Sequence, residues 1–297
     1  MRIPHPIPYQ GSKRQLAPAI LNFLPTDTVR LIEPFAGSAA LSLAAAQHGK
    51  AKQFVLNDLN TPLIRLWDAI IHRPNWIAEL YDQLWRMQIG RERRFYDLVR
   101  TRFNRTHQPY YLLYLLARCV KAAVRYNHQG EFNQSPDNRR RGKQPHAMRI
   151  EIEGASALLR DRTQVFMYDY KRILAMAGET DVVYLDPPYQ GVCAQRDSRY
   201  IKPIVFDELV GELQCLNERG ISFILSYDGA TGAKKFGRDL PVSLRLQQLC
   251  LNAGRSTQST LLGRSEITVE SIYLSLALRD RLERNEPVKS SMQLALF

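Results

Sequence analysis

Asp186-Pro187-Pro188-Tyr189 stands directly after the apolar run Asp181 to Leu185 and combines a carboxylate, a double-proline turn and an aromatic ring. Two prolines fix the backbone of the loop, so Asp186 and the Pro187 carbonyl keep one orientation relative to the strand end. Such a pair of acceptors can take the two hydrogens of an amino group on a heteroaromatic ring. That amino group is a poor nucleophile because its lone pair is delocalised into the ring. Hydrogen bonds to Asp186 and Pro187 favour a pyramidal nitrogen able to attack a sulfonium methyl in line, while Pro188 stiffens the loop and Tyr189 stacks on the base. Neither a covalent enzyme intermediate nor a metal ion is needed. The plainer alternative is an ordinary turn after a buried strand.

A second chemical unit lies nearer the N-terminus. Leu31-Ile32-Glu33-Pro34-Phe35-Ala36-Gly37 reads as a short strand running into a tight loop, followed by an alanine-rich helix from Ala39. Small residues there let a ligand approach the backbone beside a helix N-terminus, with Glu33, Phe35 and Gly37 as candidate contacts. Asp58 follows Gly37 by 21 residues, at the end of the next strand. An acidic side chain in that place can accept hydrogen bonds from both hydroxyls of an adenosine ribose; a helix N-cap before Thr61-Pro62 is the alternative role. The missing GxGxxG pattern disfavours a nicotinamide cofactor, and Gly11-Ser12-Lys13 lacks the spacing of a Walker phosphate loop.

These units need a frame that brings strand ends together. Val29 to Glu33, Gln53 to Leu56, Asp181 to Leu185 and Ile221 to Ser226 read as short buried strands, with a helix from about Asp207 to Arg219 and a late strand at Ser271 to Leu278. Strands alternating with helices predict an α/β fold with a mainly parallel sheet covered on both faces, whose ligands sit beyond the carboxyl ends of the strands. The glycine loop, Asp58 and Asp186 all lie at such ends. Between the two strand groups, Tyr81 to Phe103 and Tyr110 to Val124 look helical, whereas Asn127 to Pro145 is polar, basic and rich in turn formers. The chain is therefore expected to divide into a discontinuous catalytic domain (1–75 and 165–280), an inserted, mainly helical subdomain (76–164) and a mobile tail (281–297).

Composition narrows the partners. The formal net charge is +12, and the segment from Arg86 to Pro145 holds 14 basic against 4 acidic residues, a surplus of ten. Such a concentration suits a polyanion. The longest apolar stretch, Tyr110 to Val124, is interrupted by Arg118 and Lys121 well short of a membrane span, and no basic start leads into an apolar segment, so a cytoplasmic location is expected. The four cysteines, Cys119, Cys193, Cys215 and Cys250, form no CxxC pair and suggest neither a zinc cluster nor a disulfide framework.

In their order and wording these motifs resemble the Dam-type, alpha-class DNA adenine N6-methyltransferases over nearly the whole chain. Tyr9-Gln10-Gly11-Ser12-Lys13 is similar to that family's N-terminal cofactor motif, with Ser12 where a second glycine is common; Glu33 to Gly37 is similar to its glycine loop and Asp186 to Tyr189 to its catalytic loop. The resemblance implies a Rossmann-like methyltransferase sheet with a basic target-recognition insert, S-adenosylmethionine as methyl donor and S-adenosylhomocysteine as product, with no metal. It implies cofactor contacts at Tyr9, Lys13, Asp58 and Asp186, where Lys13 neutralises the cofactor carboxylate, Tyr9 packs near the methionine end and Asp58 holds the ribose. Arg125-Tyr126-Asn127 with Gly130-Glu131-Phe132-Asn133 resembles the family's DNA-facing segment. Lys121, Arg125, Asn127 and Asn133 are thus candidate contacts to double-stranded DNA, and Arg139, Arg140, Arg141 and Lys143 candidates for its backbone. A base in a duplex must leave the stack to reach Asp186, so base flipping is expected, with Tyr189 as platform. Gln293-Leu294-Ala295-Leu296-Phe297 resembles the short peptides by which bacterial DNA-processing proteins dock on the replicative sliding clamp.

Other readings use the same residues. The loop chemistry serves N4 of cytosine as well as N6 of adenine, and an RNA methyltransferase would use the same cleft. A noncatalytic DNA-binding protein on this fold is a third; Tyr9, Lys13, Asp58 and the complete Asp-Pro-Pro-Tyr loop argue against it. Whether a restriction endonuclease accompanies the chain in a restriction–modification pair is left open by its residues.

Overall fold

The computed structural model describes residues 2–188, 204–231, 234–236, 238–255 and 267–285. Tyr189 and the Gln293 to Phe297 peptide lie outside these residues. The described strands are β1 (Arg30–Glu33), β2 (Gln53–Asn57), β3 (Thr163–Phe166), β4 (Asp181–Leu185), β5 (Ser222–Thr231), β6 (Lys234–Phe236), β7 (Gln247–Arg255) and β8 (Ile267–Leu274). Their order in one sheet is β3-β2-β1-β4-β5-β8-β7, with β6 paired to β5 off this path. The first five run parallel, and β6, β7 and β8 are antiparallel additions. All of β4 is buried, as a central parallel strand covered by helices on both faces requires. The order reverses at β1, so the carboxyl ends of β1 and β4 border the crevice where open α/β sheets hold ligands. The expected mainly parallel sheet is therefore present.

The described α-helices are α1 (Ala17–Ile20), α2 (Ala40–Gln47), α3 (Thr61–His72), α4 (Pro74–Met87), α5 (Glu92–Thr106), α6 (Pro109–Arg118), α7 (Pro145–Leu159), α8 (Tyr170–Ala175), α9 (Phe206–Glu218) and α10 (Leu276–Asn285). Seven consecutive residues of α2, mostly alanine and leucine, are buried, which lets this helix lie close against the sheet. On one face a single core joins Leu31, Phe54 and Leu56 of the sheet to Trp67, Tyr81, Phe95, Leu112 and Ile152 of α3 to α7. The helices between β2 and β3 thus share one core with the sheet. A second core on the opposite face packs Ile173 of α8 and Leu209 and Leu213 of α9 on Val183, Phe223 and Leu225.

Several boundaries differ from the sequence expectation. The helix expected over Tyr81 to Phe103 is two helices, because the chain turns between α4 and α5 where Gly90 adopts φ +78°. The helix expected to reach Val124 stops at Arg118; Cys119 is extended and Lys121 and Ala122 are both left-handed. The late strand ends at Leu274, since Ser275 accepts from the Leu278 amide and starts α10. Residues 281–285, expected to begin a mobile tail, form the last turns of α10. Arg281 is 6% exposed; it pairs with Asp27 at 3.0 Å and donates to the carbonyls of Glu179, Thr180 and Asp181. That anchor ties α10 to the start of β4.

Candidate active site

The glycine loop is held from three sides. The Ala36 amide donates to the Asn57 carbonyl at 2.7 Å, Trp67 Nε1 donates to the Gly37 carbonyl at 2.9 Å, and the Gly37 amide donates to Asp58 Oδ2 at 3.1 Å. Gly37 has φ +49°, and a Cβ on it would stand 3.3 Å from Cε1 of Tyr9, so glycine answers both a left-handed turn and the close seat of the Tyr9 ring. Asp58 also accepts from the Asn60 amide through Oδ1 at 2.9 Å. Asn60, and not Asp58, is the N-cap residue of α3. An ionised carboxylate offers about four lone-pair sites, so Asp58 can bind the loop and still accept from a diol. Asn57, which the sequence reading passed over, is buried; its Nδ2 donates to the carbonyls of Pro34 and Tyr168, and its Oδ1 accepts from the Tyr168 amide. It staples the ends of β1, β2 and β3 together.

Phe35 packs on Tyr170 with ring centroids 5.2 Å apart. Beside β3, Phe166 and Tyr168 stack at 5.4 Å, and the Arg172 guanidinium lies 3.8 Å over the Tyr168 ring. This aromatic edge continues the Gly37–Asp58 unit, and the sequence reading missed it because neither β3 nor α8 was expected.

The N-terminal arm closes the other side. Ser12 Oγ and Ser38 Oγ are 2.7 Å apart, so the serine that replaces a glycine of the first motif bonds to the glycine loop. Lys13 is only 8% exposed; its Nζ lies 3.3 Å from Asp186 Oδ1 and 2.7 Å from Glu270 Oε2. Sequence motifs separated by more than 170 residues, Lys13 and Asp186, are therefore in contact. Pro187 and Pro188 line a recess with Ile204, Phe206, Leu209 and Tyr227.

Burial sets the electrostatics. Glu33 is 2% exposed, and its Oε1 accepts from the Ser42 amide at 2.8 Å. Desolvation pushes its pKa up to about 7, against the opposing hydrogen bond from Ser42 and with help from the neighbouring charge of Asp186. Burial also raises the pKa of Asp58, against the amides of Asn60 and Gly37. Among the described residues no group of three or more histidine, cysteine or acidic side chains could hold a metal ion, and no helix is long and apolar enough to cross a membrane.

A family model, D12 class N6 adenine-specific DNA methyltransferase, matches residues 9–252. The chain belongs to this family. Similar proteins include the DNA N-6-adenine-methyltransferase of Escherichia phage P1, 27% identical over 273 residues, covering 86% of this chain and 34% of that protein. The DNA adenine methylase of Serratia marcescens is 31% identical over 190 residues (63% of this chain, 67% of the relative). The Retron Ec67 DNA adenine methylase of Escherichia coli is 30% identical over 196 residues, 62% of each chain. The chain thus spans about a third of the length of the phage relative and 62 to 67% of the other two.

In this member of the D12 class, residues 119–136 of the basic segment form a two-part hairpin after α6. Cys119 bridges Pro136 and Tyr126 bridges Phe132. Lys121 is exposed, Arg125 half-buried and Asn133 exposed on this hairpin. Asn127 is committed to the turn, where its Oδ1 accepts from the amides of Gln129 and Glu131 and its Nδ2 donates to Glu131. Asn104 of α5 grips the hairpin, donating to the Phe132 carbonyl at 3.1 Å and accepting from the Phe132 amide at 2.9 Å. Arg139 and Arg140 are exposed but both pair with the buried Asp137, whose carboxyl they hold well below the usual range. Arg141 pairs with Glu92, and Lys143 with Glu151. The hairpin also touches the glycine-loop side of the sheet and the N-terminal arm: Tyr126 OH donates to Asn60 Oδ1 at 3.1 Å, and the Gln10 amide donates to the Ala122 carbonyl at 3.0 Å.

Proposed function

We propose that this chain transfers the methyl group of S-adenosylmethionine to N6 of an adenine in duplex DNA, acting on a base turned out of the stack. The observation that carries the reading is the convergence of Tyr9 on Gly37, Gly37 on Asp58 and Lys13 on Asp186 at the carboxyl ends of β1, β2 and β4. The residues fit the cofactor: Asp58 keeps acceptor capacity for a ribose diol, and Lys13 carries the charge a carboxylate needs. Glu33 and Phe35 line the same loop. When bound, S-adenosylmethionine supplies an electrophilic sulfonium methyl. Asp186 and the Pro187 carbonyl accept the two hydrogens of the adenine amino group and so raise the nucleophilicity of its nitrogen, Pro188 holds the loop rigid, and Tyr189 stacks on the base.

The helices and hairpin of residues 76–164 present the duplex, with Lys121, Arg125 and Asn133 toward the groove and Arg139, Arg140, Arg141 and Lys143 along phosphates. The arginine pairs with Asp137 and Glu92 leave further guanidinium donors for phosphate. Asn127 supports the hairpin turn and contacts DNA only through atoms outside that network. The residues 293–297 fit a sliding-clamp peptide by sequence, and their deletion is expected to abolish clamp pull-down without slowing methylation of naked DNA.

The test is nucleoside mass spectrometry of DNA from a host without its own base methylation, expressing this chain or its Asp186→Ala variant. N6-methyladenine with the intact chain alone is the expected result. N4-methylcytosine would replace the substrate assignment, and no modified base would overturn the reading.

A further inference from the structure

Glu270 lies on β8, beyond the residues 9–252 that the family model matches. Its partners across the sheet are Gly229 of β5 and Leu251 of β7. The β5–β8 register shifts between Ser226 and Gly229, next to this position, and an irregularity of this kind re-aims the side chains around it. The outcome is a carboxylate, 22% exposed, that reaches Lys13 at 2.7 Å while Asp186 stands 3.3 Å from the same nitrogen.

One ammonium is thus shared by two carboxylates, with the shorter contact to Glu270. If Lys13 paired with Asp186 alone, the two would form a closed charge-assisted pair, and Asp186 would become a weaker acceptor for the hydrogens of a substrate amino group. Resting on the proposed roles of Lys13 and Asp186, we infer that Glu270 is a positioning residue for methyl transfer: it draws Lys13 off Asp186 and keeps the Asp186 carboxylate available to the base. Glu270 touches neither base nor methyl group. It acts through Lys13.

This role divides the kinetic constants in a way that a merely structural role does not. Glu270→Gln retains the size of the side chain and removes its charge, so Lys13 settles on Asp186. The expected result is a kcat about tenfold lower, the equivalent of one charge-assisted hydrogen bond, with a KM for S-adenosylmethionine that does not rise and an unchanged melting temperature. Glu270→Asp, which restores the charge, recovers kcat in large part. In the Lys13→Ala background, Glu270→Gln causes no further loss. The inference is overturned by an unchanged kcat in Glu270→Gln, by kcat falling together with a rise in KM and a drop in melting temperature that Glu270→Asp does not repair, or by a full additional loss in the Lys13→Ala background. If Lys13→Ala itself methylates at the normal rate, the proposed role of Lys13 fails along with the inference. A slow Lys13→Ala beside a fully active Glu270→Gln refutes the inference alone.

Discussion

Glu33 holds its carboxyl inside the protein at the end of β1, and burial brings its pKa from the ordinary 4.5 to about 7. The native state therefore binds the Glu33 proton more tightly than the unfolded chain does, and stability must fall as pH rises from 4.5 toward 7. At about 1.4 kcal/mol for each pH unit of that window, the loss totals about 3 kcal/mol. Glu33→Gln removes the ionisation, keeps nearly the same shape and leaves an amide oxygen to accept from Ser42. At pH 5 the wild-type carboxyl is mostly protonated in the native state, so the variant gains little; at pH 8 the wild type bears the full cost and the variant none. The quantity to measure is the melting-temperature difference between variant and wild type at the two pH values, in one buffer of constant ionic strength. Any fixed cost of seating the amide cancels in that comparison. The difference is expected to move in favour of the variant by several degrees from pH 5 to pH 8. An offset that is the same at both pH values would refute the argument that Glu33 is buried as a strained carboxylate.

Three further outcomes follow from the geometry. Asp58→Asn keeps the shape but weakens acceptance from the Gly37 amide and from a ribose diol, so cofactor affinity measured by calorimetry should drop about ten- to a hundredfold; unchanged affinity would remove Asp58 from the site. Asn104→Ala frees the Phe132 backbone from both of its side-chain bonds, and duplex affinity in a fluorescence anisotropy titration should weaken by about 1–3 kcal/mol while cofactor affinity holds; loss of both alike would point to unfolding instead. Gly142→Ala places a Cβ 3.2 Å from the Ala117 carbonyl and the Tyr81 hydroxyl at φ +84°, and denaturant unfolding should register at least about 1 kcal/mol of lost stability. A neutral result there would mean the 139–143 loop is free to shift.

The site was more legible in the sequence than the frame around it. Asp58 and Asp186 directly follow short apolar strands and Gly37 closes the tight loop after another, so each stands where the sequence pattern changes from strand to turn. The alternation of strands and helices was likewise sufficient for the parallel sheet. What failed to show were elements whose signals are set by tertiary context. β3 is a four-residue strand, Thr163–Phe166, with no fully buried residue, so its apolar pattern is weak; with it went α8 and the aromatic edge. α7 carries Arg149, Glu151 and Glu153 among its apolar residues, and Glu151 belongs there because Arg2 and Lys143 neutralise it. Glu270 lies in an antiparallel strand far from every motif, and only the folded sheet brings it to Lys13. Asn57 was passed over beside Asp58 because a buried amide used wholly for backbone bonds leaves no mark in composition.

The ties between the hairpin, the glycine-loop side and the N-terminal arm bear on engineering. Tyr126 reaches Asn60, whose amide is fixed by Asp58, and the Ala122 carbonyl holds the arm that carries Tyr9 and Lys13. Residues 118–137 are consequently not an exchangeable cassette. A graft of this hairpin from a relative would have to bring its own partners for Asn60 and Gln10, or the chimera would loosen the glycine loop and the N-terminal arm together.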